Sequence, residues 1–334
     1  MIAGELYLFL KINKTSTCIR ISYTLKRICM RYYYFNPLSK KCYFPAGFQK
    51  YPLFESFYQP YKFSANVLWK LWRNLPFFRY IFSTDEPEKV LPIVQIKEYV
   101  TPNSILAFNL GTIGVEQKIT VLGIDEMTKS SFFIKYATSE IACKNVTNEG
   151  LVLQQLSHLS FVPQLYLNSK DNNEFSLIKT SVLNGEKVTQ RKVDGHTLEI
   201  LYSLAEQKIK SSRNYSSGLK CSFAHGDFCP WNMLISDGNL KVYDWELAGQ
   251  YPLGYDLFTY LFQYEFLVEE KTRFESILNE NSKVIQEYFR HFKISDWLPY
   301  LKEFARLKYM FEKEKNNYDL IDSYLQMKVY LKTP

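Results

Sequence analysis

Paired cysteines, long apolar runs and a basic leader are all missing from this chain of 334 residues. Its six cysteines, at 18, 29, 42, 143, 221 and 229, include no CxxC pair, so neither a disulfide framework nor a zinc site is expected. Glycine and proline number only 13 each, which excludes collagen-like and low-complexity chains. No uncharged apolar run reaches the roughly 18 residues of a spanning helix. The opening MIAGELYLFL lacks a basic lead-in and carries Glu5, so no signal peptide is expected. With 46% apolar and 22% charged residues, the chain reads as globular, soluble and cytoplasmic.

Charge is divided unevenly. Residues 1–84 hold 13 Lys/Arg against Glu5 and Glu55, a net +11, and the remainder holds 28 against 32, a net −4. The same head carries 22 of the 56 aromatics. The change falls near Ser83–Pro92, and we divide the chain there into a basic aromatic extension, 1–90, and a mildly acidic remainder. Met30 and Arg31 begin a more compact stretch, so residues 1–29 need not belong to the functional product. Val67, Leu71, Leu75 and Phe78 recur at helical spacing within an expected helix, Phe63 to Phe82, with Lys70 and Arg73 between them. That stripe suits packing on the neighbouring domain or lying in the headgroups of an anionic membrane at the inner face. No recognition motif supports a nucleic-acid partner.

From 91 to 183 the pattern is mostly strands. Ser104–Leu110 and Lys118–Gly123 flank a turn containing Gly111 and Gly114, and Phe132–Tyr136 forms a third strand. A helix is expected over 140–158, then strands at Phe175–Ile178 and Ser181–Leu183. From 184 to 334 helices dominate: one capped by Asp194, then 255–268, 274–292 and 298–331, with two short strands around 232–244. The fold class is α+β.

The informative segment runs from His225 to Glu246. Asp227 and Asn232 lie five apart on a loop containing Pro230, and Asp244 ends an apolar strand twelve residues later. A hairpin brings Asn232 and Asp244 to one end beside Asp227. Three oxygen-bearing side chains around one point suit a hard cation such as Mg²⁺, leaving a carboxylate free to accept a hydroxyl proton. Phosphoryl transfer asks for that arrangement. Turn or cap roles for Asp227, Asn232 and Asp244 are the competing reading.

The pattern H-G-D-x-x-x-x-N, an apolar strand and D-W-E resembles the aminoglycoside phosphotransferase and choline kinase superfamily over roughly residues 100–270. The resemblance implies a two-lobed protein-kinase-like fold, with a small antiparallel nucleotide-binding lobe (91–183) and a helical catalytic and acceptor-binding lobe (184–334). It implies ATP and Mg²⁺ as cofactors, and as partner a small-molecule or glycan hydroxyl acceptor. Asp227 would be the catalytic carboxylate, Asn232 and Asp244 the metal ligands, and His225 a brace of the loop. Lys135 would hold phosphates, paired with Glu149. Gly111 and Gly114 would cover the nucleotide, Ser181, Val182 and Leu183 would form the adenine hinge, and Asp256 would support the site structurally, as a helix cap and not as a chemical group. Lys144 and Glu140 compete with Lys135 and Glu149, and nothing marks Cys229 as a nucleophile.

Departures narrow the expectation. The glycine turn is not GxGxxG, Glu246 replaces the Gly of DFG, and no activation loop comes after it, all of which disfavour protein substrates. Gly150 weakens the helix beside Glu149. Of the acceptors, a sugar or cell-envelope glycan precursor ranks first on the basic head, before choline-like compounds and antibiotics. A nucleotide-binding pseudokinase scaffold is the alternative of another class.

Overall fold

The computed structural model describes residues 6–12, 15–21, 31–35, 41–57, 63–75, 79, 82–84, 87–171, 174–188, 192–215, 218–267, 269, 274–315 and 317–331. The chain forms two compact units, Met1–Val100 and Thr101–Pro334.

In the first unit, β1 (Leu6–Ile12) pairs antiparallel with β2 (Thr15–Ile21). Strand β3 (Tyr32–Phe35) lies between β4 (Cys42–Pro45) and β5 (Ser83–Thr84). Helix α1 runs Phe63–Asn74, shorter than the expected Phe63 to Phe82. Pro76 lacks the N–H that would continue its ladder. Trp69 and Trp72 are buried and stack at 5.2 Å, with Phe35 and Phe44 against them.

The second unit opens with a five-stranded antiparallel sheet. Its members are β6 (Ser104–Asn109), β7 (Ile119–Asp125), β8 (Ser131–Ala137), β9 (Leu165–Asp171) and β10 (Phe175–Thr180). They are ordered β6-β7-β8-β10-β9. Strand β9 was not expected from the sequence; its polar Asn168, Ser169 and Lys170 sit on the edge. Helix α2 (Glu140–Gln155) comes after β8, capped by Ser139, whose hydroxyl accepts from Ala142 N–H. Gly150 is where α2 comes closest to the sheet: a Cβ there would lie 2.6 Å from the Asn168 side chain. The helix-weakening residue is thus what permits the packing.

The rest is mainly helical. After β11 (Glu186–Lys187), α3 (Gly195–Ala205) begins at Asp194, whose carboxylate accepts from Thr197 N–H at 2.8 Å. Strand β12 (Cys221–Ala224) pairs with β15 (Gly249–Pro252), and between them β13 (Met233–Ser236) and β14 (Asn239–Val242) form the hairpin foreseen from the sequence. Helices α4 (Tyr255–Leu267), α5 (Phe274–His291), α6 (Leu298–Glu314) and α7 (Tyr318–Tyr330) complete the unit. The expected helix over 298–331 is therefore two, joined at 315–317. One apolar core joins α2, α3 and the sheet to α4–α7, with Trp245, Phe258, Phe262 and Phe304 fully buried. Among the described residues no helix is long and apolar enough to cross a membrane.

Candidate active site

Lys135 projects from the middle strand β8, where it faces Thr120 on β7 and Ile178 on β10. Its Nζ donates to both carboxylate oxygens of Glu149, at 2.7 and 2.5 Å, and to Oδ1 of Asp244 at 2.5 Å. Burial alone would favour losing the Lys135 proton. Asp244 and Glu149 outweigh it and hold the ammonium above the usual lysine range. The competitors Lys144 and Glu140 pair with each other on the surface.

Asp244 also receives Lys118 Nζ at 3.2 Å, and Lys118 contacts Glu246. Burial would raise the Asp244 carboxyl, but Lys135 and Lys118 hold it well below the carboxylate range. Burial and the Asp244 charge push Glu246 up. The ligand atoms of Glu149, Asp244 and Glu246 lie within 4.8 Å of one another. Lys118 and Glu246 were missed as participants by sequence reasoning. The available signal was a lone cation at the base of an apolar strand, next to the glycine turn.

Asp227 sits on the loop between β12 and the turn Pro230–Asn232. Gly226 adopts φ +86°, and a Cβ there would lie 2.3 Å from Leu247 O, so the loop turns only on glycine. His225 is fully buried, 4.6 Å from the Trp245 ring. Its Nδ1 accepts from Asp227 N–H at 3.3 Å, which assigns the proton to Nε2, 3.0 Å from Tyr243 O. Asp256, expected to support the site as a helix cap, reaches the loop instead. Its carboxylate accepts from the loop amides of His225 (2.6 Å) and Gly226 (3.0 Å) instead of from its own helix.

The Asp227 carboxylate is gripped on both oxygens. Asn232 Nδ2 donates to Oδ2 and to the Asp227 carbonyl, each at 2.9 Å, and Gln263 Nε2 donates to Oδ1 at 2.8 Å. Lys308 Nζ in turn donates to Gln263 Oε1 at 2.5 Å. Tyr243, next to Asp244, donates its N–H to Asn232 O at 3.0 Å, so the hairpin brings 232 and 244 to one end. Gln263 and Lys308 were also missed; both are polar residues set in otherwise apolar helix stripes.

A cleft of about 960 Å³ is lined by Gly111, Gly114, Lys118, Asp227, Glu246, Gln263 and Lys308, among others. Ser181, Val182 and Leu183 come after β10, outside that lining. Ser181 already bonds Gln164 through its N–H and its hydroxyl, at 2.8 and 2.9 Å.

A five-stranded sheet with one packed helix, a helical half, and a lysine–glutamate pair meeting an aspartate make up a kinase-like α+β fold. Residues 216–275, which hold Asp227, Asn232 and Asp244, match the phosphotransferase enzyme family, and the resemblance drawn from the loop motif is borne out there. No curated protein matches the sequence. Similar solved structures include an amicoumacin kinase in complex with AMP-PNP, Ca²⁺ and Ami. It has 14% identity and TM-score 0.46, covering 68% of this chain and 89% of that one. An ethanolamine kinase of Plasmodium vivax has 11% identity and TM-score 0.48, covering 83% and 96%. A thermostable aminoglycoside phosphotransferase bound to AMP-PNP and hygromycin B has 9% identity and TM-score 0.48, covering 73% and 97%.

Proposed function

We propose that this chain is an ATP- and Mg²⁺-dependent kinase of a small-molecule hydroxyl, with residues 91–183 binding nucleotide and 184–334 binding the acceptor. The observation that carries it is the Asp227 carboxylate, fixed by Asn232 and Gln263 on the wall of a cleft that also holds the glycine turn and Lys118. An oriented carboxylate with no free rotation is what an acceptor hydroxyl needs for in-line attack. The acceptor oxygen forms its bond to the γ-phosphorus, the bond to the ADP oxygen breaks, and the hydroxyl proton passes to Asp227. Lys135 and Lys118 supply fixed positive charge for the phosphate oxygens.

The donors suit a magnesium ion. Both N–H groups of the Asn232 amide are engaged on Asp227, which leaves its carbonyl oxygen for a cation. Asp244, with Glu246 nearby, adds hard carboxylate oxygens. When bound, the ion would neutralise charge on the transferring phosphate. Phosphorus NMR of the protein with MgATP and pooled hydroxyl compounds tests the reading; no new phosphate ester from any pool would refute it.

The first unit favours a site of action beside an anionic membrane, hence a sugar or envelope-glycan acceptor. On α1, Trp69 and Trp72 turn inward, while Val67, Leu68, Leu71 and Leu75 are 42, 59, 48 and 42% exposed beside exposed Lys70. An uncovered apolar face on a head of net +11 matches the chemistry of an anionic bilayer surface.

A further inference from the structure

Lys118 stands at the end of the glycine turn, immediately before β7, and its backbone is fixed there. Gln117 Nε2 donates to Leu110 O at 2.8 Å, and the turn closes so tightly that a Cβ on Gly111 would lie 2.5 Å from Lys118 O. The side chain is freer. Its flexible four-carbon stem runs along the cleft wall and carries the ammonium to Asp244 Oδ1, at 3.2 Å, and to Glu246, its ion-pair partners among the described residues. Those two carboxylates are the ones that the magnesium reading gives to the metal. Glu149, Asp244 and Glu246 bring three carboxylates within 4.8 Å of one another, and the ammoniums of Lys135 and Lys118 answer them. The two cations are not equivalent. Lys135 is clamped by Glu149 and Asp244 together, with its side chain 9% exposed, whereas that of Lys118 is 20% exposed and opens on the cleft. Both ammoniums sit on Oδ1 of Asp244. A divalent ion on the other oxygen would stand beside the Lys118 ammonium and compete with it for the same negative charge.

We propose that Lys118 is a tethered stand-in for the metal ion: in the empty protein its ammonium neutralises Asp244 and Glu246, and it leaves them when nucleotide phosphates offer it another anion. This rests on the phosphotransferase reading and adds an order of binding to it. Without Lys118 the carboxylates would face Lys135 alone, an uncompensated negative charge in a largely buried site. With it, a bare divalent ion meets a cation already in place and is held off by like charge. A metal ion arriving on a nucleotide brings the phosphates that draw the ammonium away, so one cation replaces another and the site stays near charge balance. Metal and nucleotide therefore enter together.

The test uses the full chain and Mn²⁺, a paramagnetic ion that suits the same oxygen ligands as Mg²⁺. Titration of free Mn²⁺ followed by electron paramagnetic resonance, without nucleotide, should show weak binding by the native chain. Lys118→Met should tighten it roughly tenfold or more, and Lys118→Arg should bind as the native chain does. Lys118→Gln serves as the neutral variant if the methionine form does not fold. Lys315→Met removes the same charge from the cleft, at a residue paired with Glu116, and should leave Mn²⁺ affinity unchanged. Calorimetry with preformed Mn²⁺–AMP-PNP completes the set: the gain from Lys118→Met should shrink there, because the native ammonium exchanges carboxylates for phosphates. Equal Mn²⁺ affinity of native and neutral variants without nucleotide, including no binding by either, overturns the proposal. So does the same tightening in Lys315→Met, or an undiminished gain with Mn²⁺–AMP-PNP. Failure of the native chain to bind Mn²⁺–AMP-PNP at all counts separately, against the phosphotransferase reading.

Discussion

Lys135 and Glu149 face each other across β8 and α2, with Nζ at 2.7 and 2.5 Å from the two carboxylate oxygens, and the same Nζ reaches Asp244 at 2.5 Å. Glu149 is 2% exposed, so the pair cannot be halved without leaving a charge in the interior. Lys135→Met should destabilise the protein by about 3–5 kcal/mol and abolish measurable nucleotide affinity. Denaturant unfolding and AMP-PNP titration check the two effects separately.

Asp227→Asn keeps the shape of the side chain and removes its capacity to accept a proton. Turnover should fall by about a hundred- to ten-thousandfold, while nucleotide affinity stays near that of the native chain. An unaltered kcat would remove Asp227 from its role.

Asp256 acts through the loop and not on substrate. Hydrogen bonds to a charged group contribute about 1.5–3 kcal/mol each, and Asp256→Ala deletes two. The expected result is a reduced kcat with little change in KM for ATP, accompanied by faster amide exchange at His225 and Gly226.

Asp125 closes the β7–β8 turn, accepting from the N–H groups of Met127 and Thr128 and from the Thr101 hydroxyl. The Thr101 hydroxyl first, then the Thr128 amide, lower its carboxyl below the ordinary value. A depressed folded-state value means the stabilisation is present above the unfolded carboxyl range and is lost as pH falls through the folded one. Asp125→Asn should therefore be less stable than the native chain at neutral pH and converge with it in acid. Urea midpoints along a pH series read this out; a constant gap would contradict it.

For the membrane face, Leu68→Glu with Leu71→Glu should abolish co-flotation with phosphatidylserine-containing vesicles, which the native chain should show and which added salt should weaken. Equal flotation of both proteins, or of neither, would count against the face.

Much of the site was legible because its chemistry is local. The spacing of His225, Asp227 and Asn232 and the hairpin ending at Asp244 are local patterns, whereas the strand lysine trailed by a helix glutamate was legible only through the resemblance to the phosphotransferase superfamily. Gly150 was legible only as a weakness in a helix, since the approach of Asn168 that requires it is a tertiary contact. That Asp256 supports the loop and does not cap its helix was not legible, because its place at the start of a helix is local information and its two donors, the amides of His225 and Gly226 about thirty residues earlier, are not.

The sequence by itself determined the order along the chain of the loop and hairpin residues Asp227, Asn232 and Asp244 and the α+β class of the fold. Only the tertiary structure decided which further groups meet them. Lys118 on Asp244 and Lys308 behind Gln263 are separated from their partners by 126 and 45 positions. No propensity or period relates residues so far apart. Their meeting is fixed by how the sheet, hairpin and helices bury a common core.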